Sequence, residues 1–386
     1  MADKITVLLL TASIGAGHVR AAQAVAEALV CQYPQARVQL VDVMAGNSRS
    51  WKQWVKEGYY TVLERLPEFY NWLYHWSDKQ HSVVRLADYM VRRSVYRILE
   101  QSKPDVVLAM HPFAAIAAGE CMGQVGLEAV QLGTVLTDYG AHRMWTHPAV
   151  NDYFVGTTDM EKQLIHYKVA PDKVKVTGIP ASQTFCSTIS VEKLRKQLRL
   201  DNNLATVMLM GGGIGLAPLL ECLASFEKEQ CGTRMQLVVL VGHNAQLYAD
   251  ARRVSRYSRH RIIVRGFTRR VADYMRIADI LVTKPGGMTV TEATMAGLPL
   301  VLLPPLPGPE TENARFFADY GGAVLCTDSS QCCDAVRRII ENPFLQKAIR
   351  QKMLDISKAD AAKDIAEWAI QAAWQKQGVR LSSSAG

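Results

Sequence analysis

Short apolar runs recur along this chain, each halting at glycine or a polar residue before a segment with helical spacing. The first, residues 5–10, meets the turn Thr11-Ala12-Ser13-Ile14-Gly15-Ala16-Gly17-His18, and an alanine-rich stretch follows over 19–30. Runs this short, bounded by such turns, predict strands buried on both faces that alternate with helices in a parallel sheet. Further strands are expected at 38–41, 106–110, 131–136, 152–155 and 174–178. The plan then restarts. Residues 206–210 run into Gly211-Gly212-Gly213-Ile214-Gly215, and strands at 237–241, 262–264, 280–282 and 300–303 succeed it. A strand-turn-helix opening used twice predicts two α/β domains of similar design, divided near residue 185. Helices are expected at 332–340, 343–354 and 361–375, the last with Ile365, Trp368, Ala369 and Ala372 on one face, and 378–386 reads as a disordered tail.

Composition adds a partner class. At 386 residues and 49% hydrophobic the chain can fill two cores, and its formal charge of +8 favours an anionic partner. Basic residues gather at Arg92, Arg93 and Arg97 and again at Arg252, Arg253, Arg256, Arg259 and Arg261. No nucleic-acid-binding module accompanies them, so an anionic membrane surface is expected and nucleic acid is not. Residues 51–76 crowd aromatic side chains beside Lys52 and Lys56, a pattern shared by packed cores and interfacial segments. No apolar stretch is long enough to span a bilayer, and the first apolar run enters a glycine turn instead of a cleavage site, so a cytoplasmic protein peripheral to the inner face of the cell membrane is expected. The eight cysteines form no CxxC pair and no metal-ligand spacing, which fits reduced, mostly buried thiols.

Candidate chemistry concentrates at turns. Lys284-Pro285-Gly286-Gly287 joins a strand to a helix, and Thr289 with Glu292 has the spacing of a capping box. A proline-rich turn over 304–309 opens a second helix at Glu310, with Asn313 on the same face. Two such helix N-termini suit an anion. The Gly211–Gly215 turn lacks the lysine and hydroxyl residue of a P-loop, and Arg20 replaces the third glycine of a dinucleotide fingerprint. In the first half, His18, His111 and Asp138 each follow a strand, so they should gather outside the carboxyl ends of one sheet.

The segments K-P-G-G-x-T-x-x-E-A at 284–293 and P-G-x-E-x-x-N at 307–313 resemble the donor site of the diacylglycerol glycosyltransferases, the bacterial processive enzymes and plant monogalactosyldiacylglycerol synthases related to the lipid II-forming glycosyltransferase. The glycine turn ending in His18 and the Thr137-Asp138 loop resemble the same family, though Ile14 and Ala16 stand where relatives often carry glycine. The resemblance implies the glycosyltransferase-B fold, two Rossmann-like domains facing across a cleft. Residues 1–185 would bind acceptor and membrane and 186–360 the nucleotide sugar, while 361–377 would pack back on the first domain. Gly286, Gly287, Met288 and Thr289 would face the diphosphate, Glu292 the ribose, Glu310 and Asn313 the sugar, and Gly266 with Phe267 the uracil, the Gly211, Gly212 and Gly213 loop lying nearby. His18 would be the general base with Asp138 beside it, and Gly15, Gly17, His111 and Trp145 would serve the acceptor. The implied reaction is inverting transfer of glucose or galactose from a UDP-sugar to a hydroxyl of diacylglycerol. It would need no cofactor, and with no D-x-D motif no metal. A nucleotide-sugar epimerase and a non-catalytic, membrane-associated nucleotide-sugar-binding protein are the alternatives.

Overall fold

The computed structural model describes residues 4–12, 17–44, 82–187, 189–211, 218–228 and 233–383, with side chains undescribed at 82–90 and 376–383. Gly15, Gly212, Gly213 and the aromatic-rich stretch 51–76 fall outside the described residues. The chain divides into two compact units, residues 1–182 with 358–386, and 183–357.

The first unit holds strands β1 (Thr6–Thr11), β2 (Arg37–Asp42), β3 (Val106–Ala109), β4 (Gln131–Val135), β5 (Asp152–Phe154) and β6 (Val174–Lys175) in the order β2-β1-β3-β4-β5-β6, every pairing parallel. β1 and β3 are buried along their whole length, as the unbroken apolar runs anticipate. The winding direction reverses between these two strands, which opens a crevice at their carboxyl ends. The helix Gly17–Gln32 follows β1 and the helix Pro112–Met122 follows β3, so His18 and the capping residue His111 stand at the mouth of that crevice.

The C-terminal helix Ala361–Ser383 belongs to this unit. Trp368 donates its Nε1 hydrogen to Asp152 Oδ2 at 2.9 Å and sets its ring edge-on to Phe154, centroids 5.0 Å apart. Gly133 on β4 makes room for that indole, since a Cβ there would lie 2.8 Å from the Trp368 ring and 2.7 Å from Leu108. Gly133→Val should therefore destabilise the protein by about 1–3 kcal/mol through overpacking, read as a lower denaturant midpoint. A disordered tail is expected from Gly378; the helix continues to Ser383, and 384–386 lie outside the described residues. One interior glycine costs a helix only about 1 kcal/mol.

The second unit holds β7 (Ala205–Met210), β8 (Met235–Leu240), β9 (Arg261–Arg265), β10 (Ile280–Thr283), β11 (Leu300–Leu302) and β12 (Ala323–Leu325), ordered β9-β8-β7-β10-β11-β12 and again parallel. This is the doubly wound order, with its reversal between β7 and β10. Thr283 Oγ1 donates to the Met210 carbonyl at 2.8 Å and ties the ends of those two strands together. Gly211 and the Lys284–Gly287 turn thus emerge side by side. β12 has no clear signature in the sequence, since its three residues are half-buried or exposed. The division also falls at 182/183, a few residues before the position expected from the chain alone.

Candidate active site

In the first unit, Nδ1 of His18 hydrogen-bonds Thr137 Oγ1 at 2.9 Å. The imidazoles of His18 and His111 meet edge-on with centroids 4.7 Å apart, and the Trp145 ring lies 6.2 Å from His18. Three of the residues expected here, from three separate strand-end segments, therefore form one cluster. Burial makes His18 less basic than an ordinary imidazole, against the opposing pulls of the Asp138 carboxylate and a hydrogen bond to the Met110 backbone. His111 is pushed further down, by burial and by the charge His18 would carry. Both rings are thus held neutral at pH 7, the form in which a histidine can accept a proton.

His111 is also orientationally fixed. Its Nδ1 accepts the Phe113 amide hydrogen at 3.2 Å and caps the helix that Pro112 begins. The neutral ring must then carry its hydrogen on Nε2, which makes it a donor on that side. Trp145 is buried, a wall of the cluster and not an exposed platform. Gly17 opens the helix that carries His18. Thr137, the side chain that touches His18 directly, was legible only as the neighbour of Asp138, which is half-buried and acts on His18 through its charge.

In the second unit the first donor turn differs from its sequence pattern. The helix is Gly287–Met295, capped by Gly286, and no side chain caps it. The capping box expected of Thr289 and Glu292 is therefore corrected: both residues lie inside the helix, which starts two residues earlier because Gly286 takes the extended cap conformation. The correction strengthens the anion site, since the first amide groups are left without a side-chain partner. Every residue of this helix is buried, Glu292 to 2% exposure, so it is a core helix.

The second donor turn clasps the first. Gly308, at φ 92°, takes a backbone conformation that favours glycine and leads into the helix Pro309–Tyr320. Glu310 pairs with Lys284 through Oε1 and accepts the Leu306 amide hydrogen through Oε2 at 3.2 Å. Asn313, fully buried, donates its side-chain amide to the Pro285 carbonyl at 3.0 Å. Glu310 and Asn313 thus hold the Lys284–Gly287 turn in place. At the ends of β8 and β9, Phe267 is 62% exposed and stacks on His243, centroids 4.4 Å apart and planes 16° from parallel. Gly266 precedes it beside the Gly242 carbonyl. His243 follows Gly242 at the end of β8, and that position is its only signal in the sequence.

Comparison with known proteins identifies this arrangement. Residues 18–181 match the monogalactosyldiacylglycerol synthase family, and residues 206–368 match the C-terminal domain of glycosyltransferase family 28. The chain belongs to the diacylglycerol glycosyltransferase family. It is a glycosyltransferase by that membership. A processive diacylglycerol beta-glucosyltransferase of Bacillus subtilis is 27% identical over 364 residues, covering 94% of each chain. The Bacillus licheniformis protein of the same name is 26% identical over 98% of each chain. Among solved structures, Acinetobacter baumannii MurG superposes with a TM-score of 0.62 at 16% identity, over 95% of this chain and 99% of its own. A UDP-GlcNAc 2-epimerase from Neisseria meningitidis, solved with UDP-GlcNAc bound, gives 0.61 at 15%, over 96% and 100%. These two likenesses establish the glycosyltransferase-B fold of this family member. Among its described residues no group of three or more His, Cys, Asp or Glu side chains could hold a metal ion, and no helix is long and apolar enough to cross a membrane.

Proposed function

We propose that the chain transfers glucose or galactose from a UDP-sugar to the hydroxyl of diacylglycerol, with inversion at the anomeric carbon. The observation that carries this reading is the uncapped helix N-terminus at Gly286–Thr289, held by the Lys284–Glu310 pair and by Asn313. Amide hydrogens and the helix dipole there would take the charge of the departing diphosphate. Glu310 and Asn313 would bind the sugar hydroxyls from the same positions, Glu292 the ribose, and the Gly266-Phe267 turn the uracil, with Gly211 lining the same crevice.

His18 is the general base in this reading. Its neutral imidazole takes the proton of the acceptor hydroxyl as the oxygen attacks the anomeric carbon and the bond to the diphosphate breaks. Asp138 would favour the imidazolium that results, and Nε2 of His111 would donate to an acceptor oxygen, with Gly17 and Trp145 shaping that side. The donor machinery is built from amides and fixed side chains, so transfer is proposed to run without a resident metal, and a chelator should leave the rate unchanged. The protein would act from the membrane surface, its cationic residues meeting anionic lipid.

The relatives favour different sugars by name, glucose in the Bacillus proteins and galactose in the matched N-terminal family. Both donors are therefore offered side by side with diacylglycerol, and the lipid product is examined by NMR. A β-linked hexose on diacylglycerol is the expected product, and an α-linked one would contradict inversion. For the base subsite, Phe267→Ala and His243→Ala should each raise the KM for the sugar nucleotide by about tenfold, the worth of one lost stacking partner, with little change in kcat. Unchanged KM in both variants would remove that subsite from the account.

A further inference from the structure

The carboxylate of Glu310 stands beside the N-terminus of the helix Gly287–Met295. A Cβ built on Gly286, the residue that caps this helix, would lie 4.0 Å from Glu310 Oε1, yet no side chain hydrogen-bonds the cap amides. A carboxylate in this position is drawn to the positive end of the helix and competes with an incoming anion unless its charge is balanced. Lys284 balances it, with Nζ paired to Oε1, while Oε2 accepts the Leu306 amide hydrogen at 3.2 Å. The pair adds no net charge, so the helix N-terminus keeps its capacity for a diphosphate.

The arrangement is also fixed and poorly hydrated. Asn313 donates to the Pro285 carbonyl at 3.0 Å and holds the two turns together, and both charged side chains are mostly buried. A diphosphate held by the Gly286–Thr289 amides carries its sugar on the next oxygen, within reach of Glu310. Charges with little water around them act strongly on such a neighbour.

We infer that the Lys284–Glu310 pair is a charge filter, which admits UDP-linked neutral hexoses and rejects UDP-linked uronic acids. This filter rests on the donor site proposed above. A hexose and its uronic acid differ only at C6, a hydroxymethyl group in one and a carboxylate in the other. An ionised carboxylate only accepts hydrogen bonds, so Glu310 can hold a sugar hydroxyl but meets a second carboxylate with repulsion alone. Lys284 offers no relief, because its charge is already balanced by Glu310. Selectivity of this kind works by excluding the wrong ligand.

The test titrates the full chain calorimetrically with UDP and with two matched pairs, UDP-glucose against UDP-glucuronate and UDP-galactose against UDP-galacturonate. The wild type should favour the neutral member of a pair at least about tenfold, and E310Q should narrow that ratio at least about tenfold, the effect of removing a facing like charge. The ratio is the readout because a loosened turn, or a smaller folded fraction, weakens both members equally. E310D keeps the charge and should keep the ratio even where both affinities fall. K284M/E310Q should narrow it less than E310Q, in which the unpaired ammonium can meet the uronate. E312Q removes an equal charge from the same first helical turn, outside the pair, and should leave the ratio at its wild-type value. The filter is overturned if the wild type binds both members of each pair equally, if E310Q keeps the wild-type ratio, or if E310D or E312Q narrows it as E310Q does. A double variant equal to E310Q would overturn the part given to Lys284. UDP bound by the wild type leaves the donor site standing through any of these failures, whereas no binding of UDP overturns the donor site and the filter together.

Discussion

Replacing His18 with alanine lowers kcat by about 10²–10⁴-fold, the usual worth of a general base, and leaves the KM for the sugar nucleotide nearly unchanged. The donor elements lie in the second unit, so the loss should fall on turnover. The pH profile gives an independent reading. Burial holds the folded pKa of His18 below its ordinary value of 6.5, and the neutral ring is the active form. The rate should therefore be flat at neutral pH and fall only in acid, with an apparent pKa under 6.5. Stability changes in the same direction. The unfolded chain, with ordinary imidazoles, binds more protons than the folded one, so stability rises with pH there and is lost as pH drops from about 6.5 through the lower folded values of His18 and His111. His18→Ala and His111→Ala should each reduce that acid sensitivity in a denaturation series. A His18→Ala enzyme with wild-type kcat would remove the base from the account.

Breaking the Lys284–Glu310 pair is expected to be the second large effect. The two side chains are only 19% and 15% exposed, so either partner left alone is a poorly solvated charge. Lys284→Met or Glu310→Gln should cost roughly 2 kcal/mol of stability, somewhat below the cost for a fully buried pair. The KM for the sugar nucleotide should rise at least about tenfold, since the turn that presents the Gly287–Thr289 amides loses its clasp and Glu310 is itself proposed to bind the sugar. The double variant separates these effects. It should recover most of the stability, because no charge is left unpaired, and none of the donor affinity. Recovery of both would make the pair purely structural.

Much of this site was legible in the chain because its parts sit at strand ends. Apolar runs with glycine or histidine at their carboxyl ends are enough to place His18 beside His111, and Gly211 beside Lys284, once parallel winding is assumed. What escaped depends on contacts that no local pattern encodes. Lys284 and Glu310 are 26 positions apart, and their pairing exists only because two turns leave neighbouring strands. Thr137 contacts His18 across 119 positions, and His243 meets Phe267 only through the pairing of β8 with β9. The Thr289-to-Glu292 spacing was misleading for a different reason: it imitates a capping box inside a helix that glycine already starts. The C-terminal helix outlasts its apolar stripe, so the amphipathic pattern shows where the helix packs and not where it stops.

The most direct test of lipid glycosylation is UDP release from UDP-glucose and from UDP-galactose, measured with and without diacylglycerol in mixed micelles. The proposed transfer predicts release that depends on diacylglycerol, with one sugar preferred and the hexose recovered on the lipid. Sugar nucleotide consumed equally without lipid, or bound without turnover, would contradict that transfer and favour an epimerase or a binding protein built on the same fold.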